Sequence, residues 1–173
     1  MKIISYEIKH CNAGWRDFSF LKINTDEGIS GISEYNECYG SPGLSIIISR
    51  FMNKVINQDP ICHEKIHQYL YASSRQAPGG IAQQAIAAIE NALLDVKGKY
   101  LNVPVHTLLG GAIRDKLPLY WSHCGTYRIS EEYSNIMQKP QVRTLEDLKK
   151  LGKDVKDAGY KGLKTNIFTF GET

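Results

Sequence analysis

The chain has 173 residues, of which 42% are hydrophobic and 23% charged, with a formal net charge of +3. That length can bury one core, or a small domain plus part of another, and the composition is that of an ordinary globular protein. The small, evenly spread charge gives no case for nucleic acid, and no apolar run approaches the roughly 20 residues needed to span a bilayer.

The start, Met1-Lys2-Ile3-Ile4-Ser5, has no signal-peptide apolar run. Residues 2–10 alternate loosely through Ile4, Tyr6 and Ile8 and read as a first strand. A second follows at 17–24, with Phe18, Phe20 and Ile23 expected on one face. Thr25-Asp26-Glu27-Gly28 is a turn signal, and Ile29 to Glu34 the returning strand. His10 to Arg16 joins the first two strands, and Tyr35 to Gly43 leads from the third into helices at about 43–57, 62–72 and 80–100. Strands followed by helices make an α+β arrangement.

Cys11, Cys38, Cys62 and Cys124 lie far apart with no C-x-x-C pair, which suits reduced thiols and a cytoplasmic protein. His63 and His67 have metal-ligand spacing on a helix, but no further ligand clusters with them, so a solvated helix face is the expectation.

The third helix organises the chain. Ile81, Ala85, Ile86, Ala88, Ile89, Ala92, Leu93 and Val96 form a broad apolar stripe. Alanines at 82, 85, 87, 88 and 92 keep one side thin enough for another element to approach closely. Beyond Gly111, Lys116 to Ser122 reads as a short strand. Thr144-x-x-Asp147 reads as a capping box, with Leu145, Leu148, Leu151 and Val155 as the apolar stripe of the helix it opens. That helix ends at Gly159, and Tyr160 to Phe168 is a second strand. Strand, helix, strand implies parallel pairing. The link from His123 to Arg143 is long for such a unit. Its first part, His123-Cys124-Gly125-Thr126-Tyr127-Arg128, reads as a site wall, and Ser130 to Pro140 allows a disordered insertion.

Three segments carry a family resemblance. Asn91-Ala92-Leu93-Leu94-Asp95-Val96-Lys97-Gly98-Lys99, then Asn102-Val103-Pro104-Val105, then Leu108-Leu109-Gly110-Gly111 resemble the mandelate racemase and muconate lactonizing group of the enolase superfamily. The resemblance implies an α+β capping domain at 1–112, a three-stranded antiparallel meander followed by helices. It leads into the first elements of an incomplete (β/α) TIM-type barrel at 113–173. In that family the two early loops cover the barrel mouth and set specificity, which makes Trp15, Arg16 and Tyr39 substrate-binding candidates. An arginine beside a tryptophan can grip a carboxylate while the ring shields it from water.

In Leu163-Lys164-Thr165-Asn166-Ile167, side chains two apart share a face. Leu163, Thr165 and Ile167 are expected toward the helices, with Lys164 and Asn166 toward the barrel interior. An enclosed lysine loses hydration, which favours its neutral form and prepares it as a base, or leaves it a fixed charge beside an enolate. The family commonly carries Lys-x-Lys here, whereas this chain has Lys164-Thr165-Asn166. The usual base is thus replaced by an amide, which disfavours racemization and is similar to acid-sugar dehydratases of the galactonate type. The resemblance makes Lys164 and Asn166 catalytic candidates and places Ser122 on the substrate carboxylate with His123 nearby.

The resemblance further implies a sugar-acid substrate, a homo-oligomer and Mg²⁺ as cofactor, its carboxylate ligands lying beyond Thr173, with no metal site in these residues and no turnover by them alone. The alternatives are another isomerase or cycloisomerase of the superfamily, or a non-catalytic capping and association module.

Overall fold

The computed structural model describes residues 1–14, 16–39, 41–76 and 79–166. The chain divides into two compact units, Met1–Ala112 and Ile113–Thr173.

The first unit opens with β1 (Ile3–Asn12), β2 (Asp17–Thr25) and β3 (Ser30–Tyr35). They form an antiparallel sheet in that order, with Ile8 opposite Leu21 and Leu21 opposite Ser33. Among the described residues four helices follow: α1 (Leu44–Val55), α2 (His63–Ser73), α3 (Gly80–Leu101) and the short α4 (Val105–Leu108). This is the expected meander followed by helices.

Two details of the sheet differ from the sequence reading. Along β2 the buried residues are Ser19, Leu21, Ile23 and Thr25, so Ile23 sits with Leu21, while Phe18 and Phe20 occupy the opposite, half-buried face. Strict period-two geometry allows no other grouping. In β1 the register shifts between Ile3 and Ser5, which buries Ile3 completely and leaves Ile4 half exposed.

The thin side of α3 faces β3. Ser33 donates from Oγ to the Ala88 carbonyl at 2.6 Å, and a Cβ added to Gly31 would stand 2.0 Å from the Ala92 carbonyl oxygen. Only a glycine lets strand and helix backbones come this close. Around that contact Leu21, Ile23, Ile48, Met52, Ile66, Leu70, Ile86, Ile89 and Leu93 make one core. Helix α3 stops at Asn102, whose left-handed φ of 53° returns its N–H to the Gly98 and Lys99 carbonyls. His63 and His67 do not lie on a solvated face: His67 Nδ1 is 3.0 Å from Glu90 Oε2 and His63 Nδ1 is 3.5 Å from Lys97 Nζ, both partners being on α3.

The second unit contains β4 (Tyr120–Trp121), a 3₁₀ turn (Tyr127–Ile129), α5 (Glu131–Met137), α6 (Leu145–Asp157) and β5 (Gly162–Leu163). Both strands are shorter than their sequence signals, and β5's expected end lies outside the described residues. They pair in parallel, Tyr120 with Gly162 and Trp121 with Leu163. The capping box forms: Thr144 Oγ1 accepts the Asp147 N–H at 3.1 Å, and Asp147 Oδ2 accepts the Thr144 N–H at 3.1 Å. Leu151 and Val155 are buried with Cys124 and Val142, against Trp121 and Leu148. Leu145 departs from the expected stripe, being 73% exposed at the first helical position.

The long link is not a disordered insertion. It carries α5 and is pinned by Arg128, 4% exposed, which donates from Nε to the Pro140 carbonyl at 2.8 Å while its own carbonyl accepts the Val142 N–H at 2.9 Å. Among the described residues no helix is long and apolar enough to cross a membrane.

Candidate functional site

In the second unit, candidate residues converge where β4 and β5 end. The Lys164 N–H donates to the Trp121 carbonyl at 2.9 Å, and the Lys164 carbonyl accepts the Cys124 N–H at 3.2 Å. The lysine backbone is thereby held across from Ser122 and His123, at the carboxyl ends of a parallel pair. Parallel α/β sheets commonly present functional groups there. The Asn166 N–H donates to Thr126 Oγ1 at 3.3 Å.

Side-chain direction follows from Gly125. A Cβ there would meet Thr165 Oγ1 at 2.8 Å and Leu151 Cδ2 at 2.9 Å, so Thr165 turns toward α6 as expected. Alternation sends Lys164 and Asn166 the other way. Both are exposed, and Leu163 is 42% exposed; Ile167 lies outside the described residues. The enclosed, dehydrated lysine anticipated from the sequence is therefore not present here. Two strands supply only one side of a wall, and water reaches the ammonium group.

His123 has a left-handed φ of 53°, and its ring lies 5.8 Å from that of Tyr127. Its Nδ1 is buried without a hydrogen-bond partner among the described residues. A strained backbone and an unsatisfied ring nitrogen are common where side chains are positioned for chemistry. Ser122 beside it is exposed. Burial pushes the Cys124 thiol pKa up, and its Sγ rests 3.7 Å from the Lys164 carbonyl oxygen, which makes it packing rather than a nucleophile. Arg128, expected in a site wall, instead fastens the link internally.

The first unit brings its two early loops together at Arg16. The guanidinium carbon lies 4.1 Å from the centre of the Phe18 ring and 5.7 Å from that of Tyr39, and Nη2 is 3.6 Å from Glu34 Oε1. An aromatic face and a carboxylate both favour the cation in that place. Trp15 lies outside the described residues. Sequence reasoning missed Glu37. Its Oε1 accepts the Gly43 and Ser45 N–H groups at 2.9 and 3.3 Å, and Oε2 accepts the Ser45 hydroxyl. The loop is thus closed onto the start of α1, where Gly43 adopts φ 85°. An acid six residues before the N-cap is a faint cue, because capping side chains are normally sought closer in.

Among the described residues no three His, Cys, Asp or Glu side chains gather closely enough to hold a metal ion. The donor set for a divalent cation is not met by the described residues.

A profile described as mandelate racemase / muconate lactonizing enzyme, N-terminal domain, matches residues 8–110. A D-galactonate dehydratase of Variovorax paradoxus (strain S110) is 42% identical over 101 residues, 58% of this chain and 26% of that protein. The D-galactonate dehydratase of Pectobacterium atrosepticum is 40% identical over 123 residues, 71% of this chain and 32% of its own length. The chain thus spans about a third or less of these curated relatives. A crystal structure from Burkholderia xenovorans strain LB400, provisionally named an L-alanine-DL-glutamate epimerase and bound to magnesium and fumarate, is 40% identical. It covers 99% of this chain and 42% of that one, with a TM-score of 0.91. The matched profile and the meander-then-helices fold agree, and the chain belongs to the mandelate racemase and muconate lactonizing enzyme family of the enolase superfamily.

Proposed function

We propose that this chain is the N-terminal part of an enolase-superfamily lyase that dehydrates a sugar acid. The observation that carries the reading is Lys164-Thr165-Asn166 at the end of β5, with the lysine backbone bonded across Ser122 and His123. The dehydratase names of relatives 40–42% identical support it.

In such a reaction a base removes the proton alpha to the carboxylate, and the resulting enolate expels the beta hydroxyl as water. The Lys164 ammonium places positive charge beside the developing enolate oxygen, and the Asn166 amide donates a hydrogen bond to it. Ser122 donates to the substrate carboxylate, and His123 stands beside it. Asn166 takes no proton, so the base lies elsewhere in the whole enzyme. Within the first unit, Arg16, Trp15 and Tyr39 are the residues proposed for substrate recognition. Magnesium, present in the Burkholderia crystal structure, is proposed as the whole enzyme's cofactor. The described residues do not hold it, and none of these roles runs through it.

Epimerization is the second reading, favoured by the name of the Burkholderia protein. A two-base epimerase needs a proton acceptor on each side of the carbon, and Asn166 cannot be one.

The whole enzyme, incubated with aldonic and aldaric acids in D₂O, distinguishes the two. The expected result is a 2-keto-3-deoxy acid, trapped as its semicarbazone, with kcat lowered by about a hundredfold in Lys164→Ala. An epimer formed without loss of water, or an unaffected Lys164→Ala, overturns the dehydratase reading.

A further inference from the structure

The helices of the first unit surround a cavity of about 490 Å³ that the sugar-acid reading does not use. Its floor is Ile47, Phe51 and Ile81, all packed into the main core, and its rim is Arg50, Lys54 and Arg75. The volume falls within the roughly 300–1,000 Å³ of small-molecule sites.

We propose that this cavity binds a small organic anion: an apolar body carrying a carboxylate or a phosphate monoester. Arg50 and Lys54 are four residues apart on α1 and so share a face. Arg75 reaches the cavity from the segment after α2. Among the described residues no acidic side chain lines the cavity, and no ion pair engages any of the three cations. Three like charges around one opening repel one another, and an anion between them relieves that repulsion. Lys54 Nζ stands 6.0 Å from the centre of the Phe51 ring, so charge and apolar floor adjoin.

The hydroxyls on the lining are already committed. Ser73 Oγ donates to the Tyr69 carbonyl at 2.7 Å and Ser74 Oγ to the Leu70 carbonyl at 3.1 Å. The cations are therefore the charged donors left to meet a ligand. An inorganic anion would leave the floor wet, and a neutral hydrocarbon would leave the cations unanswered. An amphiphilic anion satisfies both.

The proposal is independent of the role given to Lys164. It is tested by isothermal titration of the full chain with octanoate and octyl phosphate, with octanol and inorganic phosphate as controls. Saturable binding of an octyl anion near 10⁻⁴ M is expected, weakened about tenfold or more in Arg50→Gln/Arg75→Gln. Both arginines are exposed, so the variant should keep the wild-type circular dichroism spectrum. A preference for octanoate assigns a carboxylate ligand, and a preference for octyl phosphate assigns a phosphate ester. Octanol binding as tightly as octanoate, no saturation by either anion, or an unchanged affinity in the folded double variant overturns the proposal.

Discussion

Asp95 on α3 accepts the backbone N–H of Ile32 on β3 at 2.8 Å. The same carboxylate oxygen receives Lys99 Nζ at 2.7 Å, and Lys99 also donates to the Ser30 carbonyl at 2.8 Å. β3 is an outer strand of its sheet, and these side chains satisfy backbone groups that a sheet edge leaves open. Asp95→Ala is expected to cost about 1–3 kcal/mol in urea unfolding, since it strands a backbone donor and a lysine together. Asp95→Asn should cost less, because its amide oxygen still accepts from Ile32. An Asp95→Ala chain with wild-type stability would mean that the clamp contributes nothing.

Two glycine substitutions should separate steric from conformational effects. A methyl group at Gly31 would press on the Ala92 carbonyl and on Val96, so Gly31→Ala should cost about 3 kcal/mol by overpacking. Gly28 has φ 78° and open space around it, so Gly28→Ala should cost only the strain of a left-handed residue, about 1–2 kcal/mol. Equal losses in thermal denaturation would contradict the close approach of β3 to α3.

Glu7 is held by Lys9 first, then by Asn24 and Lys22, which lowers its pKa from 4.5 to about 2. A depressed carboxylate stabilises the fold above its unfolded value and ceases to do so as pH falls through its folded value. The loss therefore falls between pH 4.5 and about 2. Asp147 moves in the same direction, chiefly through the Thr144 hydroxyl. NMR titration should show Glu7 ionising well below an ordinary glutamate, and Lys9→Ala should raise its midpoint. An unmoved midpoint in that variant removes Lys9 as the main cause.

Magnesium titrated into the 173-residue chain should give no saturable heat at micromolar concentration, because the described acidic side chains do not cluster. Micromolar binding would reveal a donor set that this fold does not assemble from those residues.

The elements that could be read from sequence are those whose signals are local. The stripe from Ile81 to Val96 is continuous enough to fix α3, and Thr144 with Asp147 announces α6 because both halves of the cap lie within one turn. α5 was missed because its seven residues have no apolar stripe, and its place depends on Arg128 reaching Pro140 across the link. The positions of His63 and His67 depend on α3, which sequence spacing within α2 cannot report. Lys164 shows the same limit at the candidate site. Its face follows from alternation with Thr165, but its hydration depends on which elements stand opposite. Alternation singled out Lys164 and Asn166, family resemblance gave them their roles, and resemblance alone marked Ser122.

The three bonds made by Glu37 have a consequence for how this protein can change. They tie Glu37 to the start of α1, while Cys38 and Tyr39 beside it remain exposed. Those two positions can thus be rewritten while the Glu37 anchor stays in place, and a screen for folded variants should accept new residues at 38 and 39 long before it accepts one at 37.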